Sequence, residues 1–180
     1  LNLATNAAQA IAEKGVENLI RAWQKWGNKA PELRIVGDGE LRPKLVRMAA
    51  GLPVYYYGQI PKVEVKKHIE CAKLIILPSE WFETFGLAVV EAAALGTPAA
   101  VSNIGPLPSI IKEGKSGVVF EPGNPESLLH KVRSAWEAPD MLERLGTGAR
   151  AEFESKYTED ANYKMLMEIY EKAIREKKSS

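Results

Sequence analysis

Five short apolar runs alternate with amphipathic stretches along this chain, and that alternation limits the fold more than any other feature. The runs are "ELRIVG" (32–37), "LPVYYYG" (52–58), "KLIILPS" (73–79), "PAAVS" (98–102) and "SGVVFEP" (116–122). They are short, mostly β-branched or aromatic, and bounded by Gly, Pro or Ser, which is the pattern of strands. Helical periodicity fills the intervals at 15–28, 39–50, 61–71 and 86–95, with a short turn near 108–113. Three further helices close the chain at 125–137, 139–154 and 159–177. Strands that alternate with helices form βαβ units and hence a parallel sheet covered on both faces. The fold class read from this is α/β: a doubly wound, Rossmann-like parallel sheet in one domain, for which 180 residues suffice. "GDG" at 37–39 is a turn after a strand, and "GDGE" is no GxGxxG fingerprint. The start, "LNLATNAAQAIAEKG", is Ala-rich; "LNLAT" admits a short strand, but the Ala run favours a helix or an irregular arm.

Composition narrows the function classes. A net charge of +1 gives no electrostatic case for nucleic acid. One cysteine, Cys71, excludes an intrachain disulfide and a multi-cysteine metal site. The two histidines, His68 and His130, lie well apart and read as surface residues, so no metal is expected. No run of 18 apolar residues is present to span a membrane, and the start carries no signal-peptide pattern. A cytoplasmic location is the default expectation.

The chemistry concentrates in "PSEWFETFGLAVVEAAALGTP". From Gly86 to Leu95 every residue is apolar or Gly except Glu91, whose helical neighbours would be Leu87, Ala88, Ala94 and Leu95. A helix apolar on all sides is expected to be buried, and an unpaired carboxylate inside it costs several kcal/mol. Glu91 therefore either asks for a ligand or sits in a half-exposed position that the pattern disguises, and Glu83, taken alone, reads equally as a solvated loop residue or a first-turn acid favoured by the dipole. In an open α/β sheet, ligands bind outside the carboxyl ends of the strands, where this segment runs from strand to loop to helix. The N–H groups of Phe85, Gly86 and Leu87 at the helix start would meet a phosphate together with the helix dipole. Gly86 would let the ligand approach the backbone. Glu91, one to two turns in, would accept hydrogen bonds from a vicinal diol such as a ribose, and Glu83 a sugar hydroxyl. The aromatics Trp81, Phe82 and Phe85 read as core or rim packing. The lysine run in "PKVEVKKH" reads as a solvated helix face; in a full enzyme it would instead border a nucleobase pocket near Gly58 to Pro61, or face anionic lipid.

"PSEWFETFGLAVVEAAALGTPAAVSNIG" closely resembles the signature of retaining GT-B glycosyltransferases of the family-4 (group 1) type, with two glutamates seven residues apart falling on Glu83 and Glu91. "AEKGVENLIRAW", "ELRIVGDGELRPKL", "YYYGQIPKVEVKKHIECAKLIILPS" and "KSGVVFEPGNPESLLHKV" resemble further landmarks of its C-terminal donor-binding domain, so the likeness covers nearly the whole chain. The helix at 159–177 resembles the one that crosses back to the N-terminal GT-B domain, which is missing here and would carry the acceptor site. The resemblance implies residue roles. Glu91 would hold the ribose hydroxyls and Glu83 the hydroxyls of the transferred sugar. The backbone N–H groups of Phe85, Gly86 and Leu87 would hold the diphosphate, and Lys14 would neutralise the departing phosphates. No metal is implied, because the helix dipole and basic side chains stabilise that charge. The donor would be a UDP-, GDP- or ADP-sugar. The acceptor would be a glycan or a lipid-linked one, the latter with peripheral membrane association.

Departures from the family accompany the match. The usual first strand with its Gly-Arg is missing or altered, residues 1–13 reading as an atypical arm, and Gln9 and Ala8 stand where an Arg is expected. "GPLPS" replaces Gly-Gly-x-Pro-Glu, with Pro106 and Ser109 substituted. Two alternatives stay open: a GT-B sugar-nucleotide epimerase, which calls for an acid/base pair not found here, and a non-catalytic α/β interaction module, which the lost Arg and the altered first strand favour.

Overall fold

The computed structural model describes residues 2–4, 15–82 and 84–178. Its elements run β1 (Asn2–Ala4), α1 (Val16–Trp26), β2 (Leu33–Val36), α2 (Arg42–Met48), β3 (Val54–Gly58), α3 (Lys62–Glu70), β4 (Ile75–Leu77), α4 (Leu87–Ala94), β5 (Ala99–Ser102), α5 (Leu107–Ile110), β6 (Gly117–Phe120), α6 (Pro125–Trp136), α7 (Pro139–Lys156) and α8 (Glu159–Lys178). The strands form one parallel sheet in the order β3-β2-β1-β4-β5-β6, the reversing order of a doubly wound sheet.

The first strand corrects the expectation that it is missing. β1 is present and lies between β2 and β4, with Leu3 in register with Ile35 and Asn2 with Ile75. Asn2, Leu3 and Ala4 carry little strand propensity; parallel partners on both sides supply the ladder that the local sequence does not advertise. Gln9, Ala8 and the rest of the expected arm up to Lys14 lie outside the described residues.

Alternation along the strands fills both faces. Leu74 and Ile76 join Leu33, Ile35, Ala100 and Val118 in a core beneath α1, α6 and α7. Ile75 and Leu77 point the other way, with Ala99 and Val101, against α3, α4 and α5. Trp23 of α1 is fully buried and donates its indole N–H to the Pro31 carbonyl at 2.8 Å, which satisfies its polar atom. Asn124 caps α6 by accepting from Ser127 N–H at 3.0 Å, with Pro125 opening the helix. The helix read at 39–50 is shorter, Arg42–Met48, because Pro43 sits in its first turn and the "GDG" segment stays a turn. Two glycines inside α7 mark close backbone approaches: a Cβ at Gly146 would sit 2.6 Å from the Gly96 carbonyl, and one at Gly148 would overlap the Lys115 carbonyl. His68 is half-buried, its ring 4.5 Å from that of Tyr57, rather than a plain surface histidine; His130 is exposed.

Candidate functional site

At the carboxyl ends of β1 and β4 the α1 start and the β4–α4 loop meet. Gly15 has φ +68°, and a Cβ there would overlap the carbonyl oxygen of Pro78 and lie 2.8 Å from a Glu80 carboxylate oxygen. The amide of Asn18 in the first turn of α1 donates to the same Glu80 carboxylate at 2.5 Å. The loop that leads into α4 is thus held against the α1 amino end by a backbone contact that only glycine permits and by one side-chain hydrogen bond. Sequence reasoning missed this tie, since nothing local relates position 18 to position 80.

Gly86 adopts the left-handed conformation, φ +72°, immediately before α4. A Cβ there would sit 2.6 Å from Leu107 Cδ2 and 2.8 Å from Ile110 Cδ1, so the glycine answers to packing against α5 as well as to its φ. The first backbone bond across the turn is Val89 N–H to Gly86 O at 2.9 Å, which leaves the N–H groups of Leu87 and Ala88 at the helix mouth. Phe85 and Leu87 are half-exposed beside that mouth. Ser109, one of the departures in "GPLPS", donates its hydroxyl to the Pro106 carbonyl at 2.6 Å.

Glu91 corrects a second expectation. α4 is not buried on every side: Val89, Val90, Ala92 and Ala93 face the core, while Leu87 and Glu91 are exposed and Ala94 and Leu95 half-buried. Glu91 is therefore a carboxylate at the edge of a groove and not a buried charge. The apolar neighbours at i±3 and i±4 were misleading because Ala and Leu also serve on a face covered by another element's side chains. That groove, about 450 Å³, runs between α3 and α4. Val65, Ile69 and Leu95 line it, and Lys62, Lys66 and Glu91 bring the charges. The lysine run read as a solvated face thus borders the same hollow as Glu91.

The aromatics also depart from the expectation of core or rim packing: Trp81 is 66 % exposed, Phe82 77 % and Phe85 54 %. Glu83 and Lys14 lie outside the described residues, so the pairing of Glu83 with Glu91 is not part of this geometry. Among the described residues no cluster of His, Cys, Asp or Glu is arranged to hold a metal ion. No described helix is long and apolar enough to cross a membrane. A larger, shallower concavity of about 680 Å³ lies at the opposite, amino end of the strands between Pro98 and α7, away from the α4 start.

Comparison with known proteins matches residues 2–152 to the family described as glycosyl transferases group 1. A sulfoquinovosyl transferase of Arabidopsis thaliana is 33 % identical over 169 residues, which are 91 % of this chain and 33 % of that protein. A sucrose-phosphate synthase from Thermosynechococcus elongatus superimposes with a TM-score of 0.81 at 22 % identity, over 97 % of this chain and 45 % of that one. The Anabaena protein HepE, solved in complex with UDP, superimposes with a TM-score of 0.80 at 18 % identity, over 94 % of this chain and 48 % of that one. The chain therefore spans about a third of that curated relative and just under half of each of the two solved chains.

Proposed function

Because the chain belongs to the glycosyl transferases group 1 family, we propose that it is the C-terminal, donor-binding domain of a retaining GT-B glycosyltransferase that takes a sugar from a nucleotide sugar. The observation that carries this reading is the place of Glu91: an exposed carboxylate at a groove edge one turn along α4, beside a helix mouth with free N–H groups. A diphosphate at that mouth meets the N–H groups and the positive end of the dipole, and a ribose beyond it offers its diol to the carboxylate. Backbone N–H groups of Phe85, Gly86 and Leu87 hold the diphosphate, Glu83 the hydroxyls of the transferred sugar, and Lys14 the charge that grows on the leaving phosphate. In front-face transfer the bond from the anomeric carbon to the diphosphate oxygen breaks and the bond to the acceptor oxygen forms on the same side. The leaving diphosphate takes the acceptor proton. No metal enters this scheme, since the dipole and basic side chains meet the developing charge.

The partner is an N-terminal GT-B domain that binds a glycan or lipid-linked acceptor. α8 fits a helix that crosses to such a domain: Tyr163, Ile169, Tyr170 and Ile174 are all more than half exposed. The solved complex of HepE with UDP supports a nucleoside diphosphate as the leaving group. β1, seated between β2 and β4, removes one of the two observations that favoured a non-catalytic module, the other being the absent Arg at Ala8 and Gln9.

The test is a calorimetric cycle on the protein carrying this domain, unaltered and as Glu91→Gln, against a ribonucleoside diphosphate and its deoxyribose analogue. The variant is expected to lose about 1.5–3 kcal/mol on the ribonucleotide, the scale of hydrogen bonds to charged groups, and less on the deoxy analogue. Equal losses for the two would show that Glu91 does not hold the ribose.

A further inference from the structure

The α3–α4 groove holds three charges that meet no partner among the described residues. Lys62 and Lys66 stand one turn apart on α3, so they share a face, and Glu91 stands on α4; all three border the groove. Among the described residues none of the three forms an ion pair or a side-chain hydrogen bond. Lys25, Lys44, Lys112, Lys131 and Lys156 are each held by a glutamate at 2.5–2.8 Å; Lys29 and Lys115 also go without one among the described residues, and what distinguishes Lys62 and Lys66 is their place on the groove that Glu91 borders. Lys62 is also the first residue of α3, in the turn where the helix dipole disfavours a cation. Fold stability gives no account of an ammonium there.

A ligand that completes this groove must bring donors to the carboxylate and acceptors to the ammonium groups, with an apolar, flat part to cover Val65, Ile69 and Leu95. Building on the donor reading above, we infer that Lys62 and Lys66 select the nucleobase, favouring bases with an exocyclic carbonyl oxygen (uracil, guanine) over adenine. An ammonium group donates and cannot accept. Uracil and the six-membered edge of guanine present carbonyl oxygens, whereas adenine presents an amine at the corresponding ring position. Donor then faces donor, and the ammonium group that the base covers on binding is left unmatched. The ring stacks over the apolar floor, while its ribose reaches Glu91.

The experiment titrates the full chain with UDP, GDP, IDP and ADP by calorimetry. IDP and ADP differ at C6, carbonyl against amine, and in the N1 proton that accompanies the carbonyl, so that pair isolates this one edge of the base. IDP, GDP and UDP are expected to bind about tenfold more tightly than ADP, a modest share of what a hydrogen bond to a charged donor contributes. In the double variant Lys62→Gln/Lys66→Gln the preference should collapse, with the carbonyl nucleotides losing about tenfold more than ADP. The IDP–ADP comparison on the unaltered chain refutes the inference by itself if the two bind equally, whatever the variant does. Equal losses across all four nucleotides in the variant would also overturn it, showing that the lysines act only as general charge on the diphosphate. Both of those results leave the donor reading standing, whereas failure of all four to bind the unaltered chain would remove the donor reading and this inference together. Flotation with phosphatidylglycerol vesicles supplies the remaining arm: vesicle binding that needs the two lysines, with no base preference, would assign them to a lipid surface and overturn the inference.

Discussion

Three glycines with nearly one backbone conformation separate the energetic roles of φ and of space. Gly114, Gly86 and Gly15 have φ of +72°, +72° and +68°. Replacing each with Ala therefore incurs the same left-handed penalty, about 1–2 kcal/mol, offset in each case by the same gain of about 0.4–1 kcal/mol from a stiffer unfolded chain. What differs is what the new methyl meets. At Gly114 nothing lies within 4 Å. At Gly86 it meets Leu107 Cδ2 at 2.6 Å and Ile110 Cδ1 at 2.8 Å, the tips of side chains that can shift. At Gly15 it overlaps the backbone carbonyl of Pro78, which moves only if α1 and the end of β4 separate. Overpacking costs about 1–3 kcal/mol, the low end where side chains give way and the high end where backbone must. Relative to Gly114→Ala, Gly86→Ala should therefore lose about 1 kcal/mol and Gly15→Ala about 2–3 kcal/mol in urea unfolding with an unchanged m-value. Three equal losses would refute the claim that the α1–β4 approach demands a glycine. The separation forced by Gly15→Ala also pulls Asn18 from Glu80, so its loss of nucleotide affinity should exceed that of Gly114→Ala.

The Asn18–Glu80 tie gives a charge-dependent test: Asn18→Asp should destabilise more than Asn18→Ala at pH 7, because it sets two carboxylates face to face, and the excess should vanish by about pH 3 in pH-dependent denaturation. Glu152 is paired with Lys112 at 2.5 Å and Lys156 at 2.8 Å, and these two ammonium groups keep its carboxyl below the usual value of 4.5. A depressed folded pKa means the stabilisation is present above the unfolded value and is lost as pH falls through the folded one. Glu152→Gln should therefore cost about 1 kcal/mol at pH 7 and flatten the stability profile below pH 4.5; an unchanged acid limb would contradict this. The 180-residue chain alone is expected to transfer no labelled sugar from any nucleotide sugar, because donor and acceptor must be held side by side and the proposed acceptor site lies on another domain. Radiolabel transfer by the isolated chain would contradict that division of labour.

The sequence by itself determined the α/β class and the parallel sheet, because continuous apolar runs such as Leu74 to Leu77 are satisfied on both faces only when helices cover both. It also located the α4 start and Glu91, since a glycine before an apolar helix and a lone acid inside it are local signals. It misjudged β1, whose three residues become a strand through partners on either side, a non-local source of stability. It misjudged the exposure of Glu91 as well, because Leu87 and Leu95 look the same in sequence whether they meet the core or line a groove. Only the tertiary structure brought Lys62 and Lys66 to the groove that Glu91 borders, and Asn18 to Glu80. These pairs are far apart in sequence, and their juxtaposition follows from where the sheet places the helices, which no local propensity encodes.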